Sequence, residues 1–213
     1  MKAKLFLVAL VSVLAFAVPV FATPVDLTFT GVTDSQGASA FFPGIGTTTA
    51  SAGYYHVTIS GIGDTYGFCV DPAHTQGTTL QYNLMSIAEG SVYEKAAYLL
   101  ANSTTANAAA TQVAVWKLTI PGFQYFSGVT GDINGLYNLA NNLTAAQLLA
   151  FDQSGYSLAV NPLNAVPSNG AGAQDFLVRG SLPVPEPGTL LLLGFGLIGV
   201  GVASRFKHAE CGK

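Results

Sequence analysis

An apolar run at each end, each bordered by basic residues, confines the foldable part of this chain to its middle. The chain opens with MKAK and continues as LFLVALVSVLAFAVPVF, with no charge in the run. Val20 and Ala22 then place small residues where a signal peptidase reads, so residues 1–22 are expected to be a secretory signal peptide cleaved after Ala22. No cysteine stands at the cleavage site, which argues against a lipoprotein. At the other end, residues 189–204 are uncharged and close to the ~20 residues that span a bilayer. Arg205 and Lys207 follow at once and are expected to stay cytoplasmic, which leaves the preceding domain outside.

The last part of the chain, 183–213, resembles the PEP-CTERM sorting signal of bacterial exported proteins. The residues that carry the resemblance are Pro185, Glu186 and Pro187, then the apolar helix, then Arg205 and Lys207. The resemblance implies an exosortase-type membrane peptidase as processing partner. It also implies a Gram-negative envelope and a link to exopolysaccharide or biofilm matrix.

Between these ends lies one domain's length, residues 23–182. It holds nine acidic and three basic residues, a net charge of −6. That balance excludes a nucleic-acid partner, which needs clustered Lys and Arg. Sparse charge with many Thr, Ser, Asn, Gly and Tyr suits a β-rich extracellular surface.

The pattern runs strands, helices, strands. Val25 to Val32 alternates apolar and polar residues, and strands are expected about Tyr54 to Ile59 and in TYGFCVDP, the last stopped at Asp71-Pro72. Helices follow. SVYEKAAYLLAN has Ser91 and Glu94 at capping-box spacing, and ATQVAVWKL ends before Pro121-Gly122. DINGLYNLANN forms a short helix, and LTAAQLLAF carries a second box, Thr144 with Gln147. YSLAV and QDFLVRG read as closing strands. The expected class is α+β, with sandwich- or barrel-like strands enclosing a helical insert.

The body's single cysteine, Cys69, raises a chemical question. Cys211 lies beyond the membrane segment, so Cys69 has no cysteine partner outside the cell. A lone thiol in an oxidising compartment must be buried, paired between chains, or used. On a helix, Gln112 and Trp116 stand four residues apart and share a face. Phe68-Cys69-Val70 and Thr111-Gln112-Val113-Ala114-Val115-Trp116 together resemble the two motifs of bacterial thioester-domain surface adhesins, from about Tyr66 to Leu118. The resemblance implies an internal thioester between Cys69 and Gln112, with Phe68, Asp71 and Trp116 in support. It implies covalent capture of an amine or hydroxyl on a protein or polysaccharide, a single-use reaction rather than enzymatic turnover. A bond built for capture is expected near the surface under an aromatic cover. Cys69 as a small buried apolar group is the plainer alternative.

Other constellations are weaker. His56 or His74 with Cys69 suggests a Cys–His hydrolase, and Asp64, Asp71 and His74 a metal site, though without the ligand spacing of either. No phosphate loop or dinucleotide fingerprint occurs, and no cofactor is expected. Asn102 and Asn142 match glycosylation acceptors but are expected to be loop or cap residues. A non-covalent glycan- or matrix-binding module and a structural matrix protein remain as alternative functions.

Overall fold

The computed structural model describes residues 24–71, 79–162 and 173–180. The signal peptide, the segment 183–213, His74 and Cys211 lie outside them. Among the described residues seven strands form: β1 (Val25–Phe42), β2 (Gly46–Ile59), β3 (Gly63–Cys69), β4 (Thr79–Ser86), β5 (Gln124–Ser127), β6 (Tyr156–Val160) and β7 (Phe176–Arg179). The helices are α1 (Val92–Ala101), α2 (Ala108–Thr119), α3 (Ile133–Asn141) and α4 (Ala145–Ala150).

The strands pair antiparallel in the order β2-β3-β7-β6-β4-β1-β5, and β1 also pairs β2. The second pairing of β1 closes a circuit of six strands. This is possible because β1 is long enough to serve two neighbours. Its first residues pair β4 from Val25↔Tyr82 to Thr28↔Thr79, while its whole length runs along β2. Register shifts at Phe29/Gly31 and Thr33/Gln36, the second beside Asp34 at φ 50°, interrupt the β1–β2 ladder. Such bulges bend strands and increase twist. Past them β1 and β2 continue as a hairpin arm that carries β5 on its far edge.

Side-chain alternation sorts the core into two parts. Leu27, Tyr55, Val57, Ile59, Cys69, Tyr82, Leu84, Ala159, Phe176 and Val178 pack together and fill the closed circuit. Their strand neighbours Phe68, Val70 and Leu177 belong to a second cluster with the helices. The strands therefore enclose the helical insert in sequence order, not in space: the helices lie on the outer face. The observed class is mainly antiparallel sheet with a few helices, in line with a β-rich α+β fold.

Helix α2 is buried on every side from Ala108 to Trp116. A helix that is apolar all round belongs in a core. Its alanines let it lie close to Ala38, Ala40 and Ala52 of the hairpin arm while α1 and α3 cover it. It ends where expected, with Ile120 N–H on the Trp116 carbonyl and Gly122 at φ 83°.

The caps match the sequence signals with one change. Ser91 accepts from Glu94 N–H, but Glu94 Oε2 takes the Gly90 N–H at 2.6 Å rather than that of Ser91, which bonds Ala88 O. Thr144 and Gln147 form the full box, and Asn102 and Asn142 are helix C-caps. Strands β4 and β5 and the hairpin arm were not expected from the sequence.

Candidate functional site

Cys69 is the last residue of β3, and two neighbours shape its surroundings. On one side β7 runs alongside to Cys69↔Phe176, and Val70 N–H reaches Asp175 O. On the other side the ladder to β2 stops at Tyr55↔Gly67, where β2 continues with β1 alone. The N–H and C=O of Cys69 on that edge therefore lack a strand partner.

Gln112 of α2 supplies one. Cys69 N–H donates to Gln112 Oε1 at 3.0 Å, and Gln112 Nε2 donates to Cys69 O at 2.8 Å. A primary amide offers one acceptor and donors in nearly the arrangement of a peptide group, so the side chain completes the ladder as a missing strand would. Both residues are 0% exposed. Two residues widely separated in the chain are thus brought into direct contact in a dry site.

The supporting residues divide between the two sides. Phe68 points toward the helices and stacks on Tyr54 at 5.5 Å between centroids. Trp116 is fully buried against Phe42 at 5.3 Å and Phe123 at 6.0 Å, one turn beyond Gln112. Its Nε1–H has no oxygen or nitrogen acceptor and lies close to the Cys69 thiol. Asp71 is half-buried two residues after Cys69. The sequence leads to a site near the surface under an aromatic cover; the structure places it deeper, with Cys69, Gln112 and Trp116 each 0% exposed. These aromatic rings belong to the core, and Cys69, Gln112 and Trp116 all lie beneath the surface.

Burial raises the Cys69 thiol well above the ordinary thiol range. The Asp71 backbone N–H and the nearby Trp116 indole dipole pull it down without offsetting burial, while the Asp71 and Asp175 carboxylates add to the rise. Burial likewise raises Tyr55 and Tyr82, which share the cluster with Cys69.

These shifts set an alkaline limit. A folded-state pKa raised above the unfolded one contributes stability that is complete below the unfolded pKa and lost above it. With Cys69 as a free thiol, stability is expected to hold to about pH 8.5 and then fall by up to about 1.4 kcal/mol per pH unit. Cys69→Ala, or conversion of the thiol to a non-titrating group, moves the onset to about pH 10, where the tyrosines begin to ionise in the unfolded chain. Urea midpoints measured from pH 7 to 10.5 check this.

Of the other constellations, those that fall within the described residues are not assembled, and His74 lies outside them. His56 pairs with Tyr66 in the β2–β3 register and bonds Thr33 Oγ1 at 2.8 Å, whereas Cys69 clusters with Tyr55 on the opposite face. No Cys69–His56 couple forms. Asp64 and Asp71 stand at opposite ends of β3, so the metal set containing both is not brought together. Among the described residues no group of three or more His, Cys, Asp or Glu is placed to hold a metal ion.

No curated protein and no solved structure matches the chain. Residues 183–205 match the family model of the PEP-CTERM protein-sorting motif, which spans Pro185, Glu186, Pro187 and Arg205. The motif indicates processing by exosortase and anchoring at the cell envelope, and on that ground the chain is an exported protein with a sorting signal at its C-terminal end.

Proposed function

We propose that the exported domain forms an internal thioester between Cys69 Sγ and the Gln112 side-chain carbon, and uses it to attach covalently to an amine or hydroxyl at the surface or in the matrix of a Gram-negative cell. The observation that carries this reading is the pairing of the Gln112 carboxamide with the Cys69 backbone inside a fully buried site.

In the first step the Cys69 sulfur attacks the carboxamide carbon. The S–C bond forms, the C–N bond breaks, and the thiol proton leaves with the nitrogen as ammonia. Amides are poor electrophiles, so orientation must supply much of the acceleration, up to roughly 7–11 kcal/mol in the best cases. Two features support it. The carboxamide is already fixed at both of its polar atoms. The Cys69 N–H also sits on Oε1, the atom where negative charge builds as sulfur adds. The raised thiol pKa works against the step, because the neutral thiol is the weaker nucleophile. In the second step a target amine attacks the same carbon. The new C–N bond forms, S–C breaks, and the amine proton passes to the Cys69 sulfur; a hydroxyl target reacts likewise to leave an ester.

A second reading rests on the same hydrogen bonds. An amide satisfied at both ends is also a stable latch between α2 and the end of β3, with Cys69 a buried free thiol in a non-covalent matrix-binding domain. Intact mass separates the two. Fresh protein is expected to weigh one ammonia less than its processed sequence, and Cys69→Ala or Gln112→Ala is expected to abolish the deficit. A full mass, with Cys69 alkylated only after denaturation, would establish the latch.

A further inference from the structure

A groove of about 630 Å³ opens on the outer face of β1, β2 and β3, on the opposite side of the sheet from the Cys69 cluster. Its walls carry polar side chains in cross-strand rows. His56 stands opposite Tyr66, and Thr58 opposite Asp64. Each is held by a partner: His56 Nε2 with Thr33 Oγ1 at 2.8 Å, Thr58 Oγ1 donating to Asp64 Oδ1 at 2.6 Å, and Arg179 Nη1 donating to Tyr66 OH at 2.6 Å. The β1 residue opposite His56 is Gly31, at a register shift, and a side chain there would meet nothing within 4 Å. The space above His56 is therefore open.

The chemistry of this wall is narrow. The anchored atoms leave Asp64 Oδ2 as an acceptor and His56 Nδ1 as a second polar point, amid threonine hydroxyls and beside a half-buried tyrosine. The Asp64 carboxylate in the wall is balanced by the Arg179 guanidinium held on Tyr66, so the groove presents no net charge of either sign to favour an anion or a cation. The dense hydroxyl lining disfavours an apolar peptide, and no metal-ligating cluster is present among the described residues. A ligand made of neutral hydroxyl groups, each donor and acceptor at once, suits acceptors and hydroxyls fixed on a rigid sheet.

We infer that this groove is a binding site for a neutral oligosaccharide, contacted by Asp64, His56 and the flanking threonines. The site stands apart from the thioester reading, because His56 and Asp64 lie on the opposite face of the sheet from the cluster that holds Cys69.

The test is isothermal titration of the exported protein with neutral gluco-, manno- and galacto-hexaoses and with hexagalacturonate as the acidic probe. At least one neutral hexaose is expected to bind reversibly, with the acidic probe at least about tenfold weaker. Asp64→Ala and His56→Ala are each expected to weaken binding about tenfold, the size of one hydrogen bond to a charged or strongly polar group. Asp64→Asn keeps an oxygen for Thr58 and guards against a folding defect; it is expected to weaken binding as well. Cys69→Ala is expected to leave binding unchanged. Binding by none of the neutral hexaoses, equal binding of the acidic probe, or binding indifferent to Asp64 and His56 would overturn the assignment.

Discussion

Cys69→Ala is expected to lower the free energy of unfolding by about 4 kcal/mol, far more than the loss of one small side chain. A thioester between residues 43 apart in sequence closes a loop in the unfolded chain as a disulfide does. The loop-entropy relation gives about 4 kcal/mol for that span. A buried cysteine that serves only as an apolar group costs about 1 kcal/mol when shortened to alanine. Denaturant unfolding of freshly prepared wild type and variant measures the difference. Adding Gln112→Leu in the Cys69→Ala background isolates the hydrogen bonds, because no thioester can form there. The Cys69 N–H and C=O are then buried without partners, at about 1–3 kcal/mol each. A total near 1 kcal/mol for Cys69→Ala, followed by a large second loss, would assign the stability to the latch alone.

Local signals in the sequence located most of the helical layer, because caps are short-range chemistry. Thr144 with Gln147 forms the full box its spacing predicts, Ser91 caps the Glu94 N–H alone, and Pro121-Gly122 closes α2. The contact of Cys69 with Gln112 follows from the sequence only through the resemblance of their two motifs to those of thioester-domain adhesins, since neither spacing nor periodicity brings the end of β3 to α2. A sandwich- or barrel-like sheet is expected from the sequence, but the way the sheet closes was not legible. It depends on β1 pairing two partners and on β3 meeting β7 from the far end of the domain, and neither register leaves a trace in local alternation. Strand β4 does alternate, with Leu80, Tyr82 and Leu84 inward. The hairpin arm carries little strand signal because its inward residues include Ala38, Ala40 and Ala52, whose small size serves α2 packing.

The burial of the site also changes what capture requires. If the proposed thioester forms, it lies where Cys69 and Gln112 are both fully buried; it is then protected from hydrolysis and reacts with a target only when the core around Trp116 opens. Its rate should therefore follow the population of an open state, not surface exposure. Methylamine is expected to add to Gln112 in folded protein slowly, releasing Cys69 for alkylation, while a bulky amine adds more slowly still. Trp116→Leu, which removes an indole packed on Phe42 and Phe123, is expected to speed both methylamine addition and hydrolysis at least about tenfold, because a packing loss of about 1.4 kcal/mol or more raises the open population in proportion. Mass spectrometry on timed aliquots gives both rates. If methylamine leaves the folded mass unchanged in wild type and Trp116→Leu alike, and reacts only after denaturation, the bond is an internal cross-link that steadies the domain. The adhesive use would then be wrong although the bond itself formed.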